Sequence, residues 1–147
     1  MKLNRMTVLL LVAALIGVAT AASIGLVQRR IPSRGTVYVK ALGVEAYWDP
    51  ECTSAVTEID WGVLEPSDIA TKLIYVRNTG NAAVVLSLTT ENWAPTNAGT
   101  YIAVTWDAEG ATLEVGTTLA ARITLSVSAE ISGISDFSVD IVIAGSG

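Results

Sequence analysis

Beyond residue 35 the apolar residues recur at every second position, and this period limits the fold more than any other feature. Leu119, Ala121, Ile123, Leu125 and Val127 alternate with Ala120, Arg122, Thr124 and Ser126. Phe137, Val139, Ile141 and Ile143 alternate with Ser138, Asp140 and Val142, and Val84, Leu86 and Leu88 with Val85, Ser87 and Thr89. Successive side chains of an extended chain point to opposite faces. Each run is therefore a strand with one face in a core and one toward water. Val, Ile, Thr and Ser dominate the runs, which suits a pleated, half-buried surface.

Turn residues separate the runs: Asp49-Pro50-Glu51, Glu65-Pro66-Ser67-Asp68, Asn78-Thr79-Gly80-Asn81, Ala94-Pro95-Thr96-Asn97, Glu109-Gly110 and Ser132-Gly133. Strands are predicted over residues 36–48, 56–61, 70–77, 82–90, 101–106, 119–127 and 137–144. Asn78 to Asn81 reads as a hairpin joining the third of these to the fourth. Seven short strands with regular turns describe an all-β fold, a single immunoglobulin-like β-sandwich over residues 36–147. The first strand changes phase: Val37, Val39 and Ala41 are odd, whereas Leu42, Val44, Ala46 and Trp48 are even. That switch predicts a bulge or a crossover between sheets at Gly43, unless both faces of the strand are covered.

Ahead of the sandwich, Lys2 and Arg5 precede an uncharged run from Met6 to Val27, and Arg29, Arg30 and Arg34 form a basic linker over residues 28–35. A positive start, an apolar stretch and the small residues Ala19, Thr20, Ala21 and Ala22 read as an export signal cut between Ala21 and Ala22. Left uncut, the same run is long enough to span a bilayer as a helical anchor. Either outcome takes the domain out of the cytoplasm, to the cell surface or beyond.

Charge and composition exclude several functions. From Thr36 onward 4 basic residues oppose 14 acidic ones, a net charge of 4 − 14 = −10. Such a domain repels nucleic acid, which needs a basic footprint. The chain has no His, so the usual neutral-pH base and commonest transition-metal ligand are missing. Its one cysteine, Cys52, cannot close an internal disulfide and is either a small packed residue or a bridge to another chain. No G-x-S-x-G elbow or S-x-x-K appears among the serines. No enzyme, and no resident cofactor, is expected.

Three constellations carry what chemistry there is. Asp49, Glu51, Glu58 and Asp60 are close enough in sequence to meet at one end of a sandwich and offer oxygen ligands to Ca²⁺, but their spacing matches no calcium loop and solvated turn carboxylates are the better reading. Lys40 and Lys72, with Asn78 and Asn81, are the residue types that some surface sandwiches join as Lys–Asn amides beside a buried acid. Trp48, Trp61, Trp93 and Trp106 are the conspicuous aromatics. Trp61 and Trp106 read as plugs of the core edge, and Trp93, in the 92–97 loop, is expected to be exposed and to touch a partner or a sugar ring.

The motifs YWD-x-x-C-T (47–53), I-D-W-G-x-L-E-P (59–66), Y-V-R-N-T-G-N (75–81), L-S-L-T-T-E-N-W-x-P (86–95) and I-S-G-I-S-D-F-S-x-D-I-V-I (131–143) resemble those of small exported archaeal proteins. These carry an immunoglobulin-like sandwich behind a signal or anchor. Where that group has Pro-Gly, this chain has Pro66-Ser67, which implies strain if the turn needs positive φ. In layout alone the chain is similar to subunits of archaeal bundling pili and bacterial biofilm-matrix fibres, in which one subunit's N-terminus completes the next subunit's sheet. The resemblance implies a non-enzymatic structural protein that associates with itself or with other surface proteins. Ile24 and Leu26 of a chain cut before Ala22 would then be the donor strand.

Overall fold

The computed structural model describes residues 32–147; residues 1–31, with Ala21, Ala22, Ile24 and Leu26, lie outside the described residues. Ile31–Gly147 is one compact unit. Its elements are β1 (Ser33–Leu42), β2 (Glu45–Tyr47), β3 (Glu58–Leu64), β4 (Ile69–Arg77), β5 (Val84–Ala94), α1 (Ala98–Tyr101), β6 (Ile102–Trp106), β7 (Thr112–Leu113), β8 (Thr118–Val127) and β9 (Asp136–Ser146). Every predicted strand is present, and the first is divided in two. The one-turn helix and the two-residue β7 are too short to leave a periodic signal.

The strands form two sheets, β3-β1-β9-β5-β7 and β2-β4-β8-β6. The inward series of both meet in one core: Val37, Ile59, Leu86, Val139, Ile141 and Ile143 from the first sheet, and Ile74, Val76, Ile102, Ala121, Ile123 and Leu125 from the second, all at most 2% exposed. Each of the Val, Leu and Ile side chains contributes about 1.5–3 kcal/mol on burial, so the alternation read from sequence is also the main energetic term. The phase switch in the first strand is a crossover. β1 lies in the first sheet and β2 in the second, and the chain passes between them at Gly43, where φ is +72°. Val44 and Ala46 turn into the core, but Leu42 and Trp48 remain 59% and 38% exposed.

Connectivity corrects one expectation. No two consecutive strands share a sheet, so Asn78 to Asn81 is not a hairpin; β4 pairs with β2 and β8, and β5 with β7 and β9. The segment is an arch that carries the chain from one sheet to the other. Asn78 makes the arch: fully buried, its Nδ2 donates to the Ala82 and Leu113 carbonyls at 2.8 and 2.9 Å, and its Oδ1 accepts from the Gly80 amide. Its backbone amide donates to the Thr117 carbonyl, and its own carbonyl accepts from the Gly116 amide. Turn chemistry was legible here, but a turn residue does not say which sheet the chain enters next.

Candidate functional site

The feature that sets this sandwich apart is the seat of its first strand. β1 lies inside the first sheet, bonded to β3 on one side and β9 on the other. Antiparallel pairs run from Ser33↔Leu64 to Tyr38↔Glu58, and parallel pairs from Arg34↔Asp136 to Leu42↔Ala144. The β1–β9 ladder is the only parallel pairing among the described strands.

β1 contributes little to the core and much to the ladders. Its inward residues are Ser33, Gly35, Val37 and Val39, of which only Val37 is a fully buried aliphatic. β9 beside it buries Phe137, Val139, Ile141 and Ile143. Gly35 is required by its neighbour, since a Cβ there would stand 2.1 Å from Phe137 Cζ. Ser33 Oγ donates to the Ile134 carbonyl at 2.6 Å and the Arg34 amide to the Ser135 carbonyl, fastening the start of the strand. On the β3 side the register shifts between Gly35 and Thr36, and Asp60 Oδ1 accepts from the Gly62 amide at that bulge. At the far end Gly43 and Gly145 pass closely, and a Cβ on Gly43 would lie 2.8 Å from the Gly145 carbonyl oxygen.

An ionic clamp holds β1 on the solvent face. Lys40 Nζ lies 2.8 Å from Asp140 Oδ2 on β9 and 3.1 Å from Glu91 Oε1 on β5, and Asn92 Nδ2 donates to the same Asp140 oxygen. Asp140 holds the Lys40 ammonium above its ordinary pKa, with Glu91 adding to the effect. Lys40, then Asn92, hold the Asp140 carboxyl below the usual range. Both ions thus persist at neutral pH. A Lys–Asn condensation needs a neutral amine beside a protonated acid, and this exposed cluster provides the opposite. Lys40 meets Asn92 through Asp140 rather than Asn78 or Asn81, Lys72 is exposed, and both amide hydrogens of Asn78 are already engaged.

The acidic residues singled out for Ca²⁺ do not converge. Asp49 folds onto its own turn, where its carboxylate accepts from the Thr53 hydroxyl and from the Thr53 and Ser54 amides. Thr53 first, then Ser54, keeps that carboxyl below the usual range. Glu51 is exposed in the same turn, Glu58 faces outward opposite Tyr38 on β1, and Asp60 serves the β3 bulge. Among the described residues no group of three or more Asp, Glu, His or Cys is placed to hold a metal ion.

Trp93 is half-buried rather than exposed. It packs on the core, with its ring centroid 6.4 Å from that of Phe137 and Gly99 against its indole edge. Phe137 thus supports both Gly35 of β1 and Trp93. Trp61 is buried as expected; Trp106 is half-buried, with Nε1 donating to Glu109 Oε2 at 2.8 Å. Cys52 is a half-buried free thiol in the Asp49 turn. The clamp residues Asp140, Glu91 and Asn92 were not singled out from sequence, although the period-two pattern already puts Asp140 on the outward face of β9.

Among the described residues no helix is long and apolar enough to cross a membrane. The chain matches no protein-family model, and no curated protein matches it.

Proposed function

We propose that this chain is an exported, non-enzymatic structural protein of the cell surface, a subunit that joins copies of itself through its N-terminal strand. The observation that carries the reading is the seat of β1: the first of the described strands, lightly buried, inserted between β3 and β9. An element near one end of a domain can leave one protomer and enter another without unthreading the rest. Exchanged head to tail it forms contacts that do not close, and so builds filaments. In this reading the exchanged segment is β1 itself, and Ile24 and Leu26 lie in the stretch leading into it. We read the sandwich as immunoglobulin-like in architecture, with sheet-to-sheet connections of the jelly-roll kind in place of hairpins. Export rests on the apolar run ahead of the domain: cut before Ala22 it frees the subunit, and uncut it tethers a surface module.

The test joins β1 to β9 covalently. Thr36 and Ser138 are direct partners on the outward face. In a Cys52→Ser background, Thr36→Cys with Ser138→Cys is expected to give a ladder of disulfide-linked multimers from assembled protein, and filaments by electron microscopy. Cross-links confined to single chains overturn strand exchange. Mass spectrometry of the native N-terminus is expected to find Ala22 first; an intact Met1 form held in membranes sinks the filament version and leaves the tethered one.

A further inference from the structure

A sheet edge is a row of unpaired N–H and C=O groups, and proteins blunt such edges with charges, bulges, short strands or covers. Most edges of this sandwich are treated in that way. β3 carries Glu58, Asp60 and the Gly62 bulge. β5 is covered by β7, after which the Gly110 amide bonds Leu86 and Glu109 Oε2 takes the Leu88 amide. β2 has three residues, and the part of β4 beyond it contains Lys72. β6 has none of these devices: Ile102–Trp106 holds no charge, Pro or Gly.

Which groups of β6 are free follows from its register. Ser128 N bonds the Tyr101 carbonyl and Asp107 N the Arg122 carbonyl, so the odd residues of this antiparallel ladder point their backbone groups at β8. The even residues point theirs away. The Ile102 amide turns back to the Ala98 carbonyl, leaving the C=O of Ile102 and the N–H and C=O of Val104 and Trp106 without a partner among the described residues. Beside this edge a cleft opens between the sheets, lined by Leu88, Val104, Thr105, Trp106 and Glu109.

Charge selects the occupant. β4, β6 and β8 contain no Asp or Glu, whereas β3, β5 and β9 of the other sheet carry Glu58, Asp60, Glu91, Asp136 and Asp140. Two copies of a domain with ten net negative charges repel over most of their surfaces. β6 itself holds no carboxylate, and the two that follow it are engaged within the domain: Asp107 accepts from the Arg122 amide, and Glu109 from the Leu88 amide and Trp106 Nε1. An antiparallel edge is also self-complementary, because a two-fold axis through Val104 sets each free N–H against the partner's free C=O. We propose that β6 pairs with β6 of a second copy, joining the two four-stranded sheets into one of eight strands. The exposed Ala103 then lies opposite Thr105 of the partner subunit, and the small side chains of both allow that approach. This contact uses no part of β1 and is independent of strand exchange.

The full chain provides the test. In a Cys52→Ser background, Ala103→Cys with Thr105→Cys is expected to yield, on mild oxidation, a dimer joined between the two β6 strands, because opposed strand residues stand within disulfide reach. Ala103→Lys with Thr105→Lys sets like charges directly opposite across the axis while leaving the ladder to β8 in place. It is expected to weaken the dimer at least about tenfold by sedimentation, with the melting temperature kept. Failure to cross-link, a dimer indifferent to the lysines, or a cross-link only to a different polypeptide each overturns the proposal.

Discussion

Asn78 shows how much of this fold hangs on single polar side chains. Its amide bonds two carbonyls from different parts of the chain, and its carbonyl oxygen fixes the Gly80 amide. Asn78→Ala leaves the buried Leu113 carbonyl without a donor, at a cost of about 1–3 kcal/mol, and also removes the part-buried bonds to the Ala82 carbonyl and the Gly80 amide. Chemical denaturation is expected to find the variant about 3 kcal/mol or more less stable, and a change under about 1 kcal/mol would show the arch to be held by something else. Ser67 is the reverse case. It sits at φ +72° in the Glu65–Asp68 turn, after Pro66, where the Asp68 amide bonds the Glu65 carbonyl. A turn of this form favours glycine at that position. Ser67→Gly is expected to relieve the strain and stabilise by about 1 kcal/mol, less the added freedom of the unfolded chain. Pro66 followed by a residue other than glycine is the sequence sign of this strain, because a type II turn, with Pro at its second position, takes positive φ at the third.

At the scale of elements, the strands were legible because each rests on a local period, and the inward series from Ala121 to Val127 and from Phe137 to Ile143 are the buried ones, with Leu119 partly buried. Their partners were not legible. Nothing within residues 70–90 says whether Asn78 starts a hairpin or an arch; that is decided by the distant Leu113 and Thr117. The site was hidden for the same reason. β1 reads as an ordinary strand, and only its pairing with β9, about a hundred residues on, makes it an inserted one. Its clamp titrates in a predictable sense. Asp140 has a lowered pKa, so its contribution is present above the ordinary aspartate value and lost as pH falls through the folded one. Lys40 has a raised pKa, so its contribution is present below the ordinary lysine value and lost as pH rises through the folded one. Between those limits the clamp is intact. Below about pH 4, hydrogen exchange of the β1 and β9 amides is expected to rise before that of β8, and Asp140→Asn is expected to flatten that pH dependence. Equal protection of β1 and β8 throughout acidification would refute the clamp.

The described domain is electrically uneven: one sheet has five carboxylates on its strands, the other only Glu45, on β2. Both proposed contacts feel this asymmetry, in opposite ways. Strand exchange keeps the Lys40–Asp140 pair, now between subunits, while edge pairing joins strands that carry no carboxylate of their own against the long-range repulsion of the rest. Screening therefore acts mainly on the repulsion that opposes both. The Debye length falls from about 30 Å at 0.01 M salt to about 3 Å at 1 M. Added salt removes repulsion between like-charged domains across distances of that order, and weakens the exposed clamp only modestly because such pairs contribute little at the surface. Light scattering is expected to show association rising with salt over that range. In a Glu51→Lys, Glu58→Lys variant, which lowers the net negative charge by four, the rise is expected to start at lower salt and be shallower. Glu51 is exposed in the turn after β2 and Glu58 faces outward on β3, neither on β6, so a shift in salt response without a change in melting temperature assigns the effect to the charge of the whole domain. Association that falls with salt in both proteins would instead mean that ion pairs between subunits drive it.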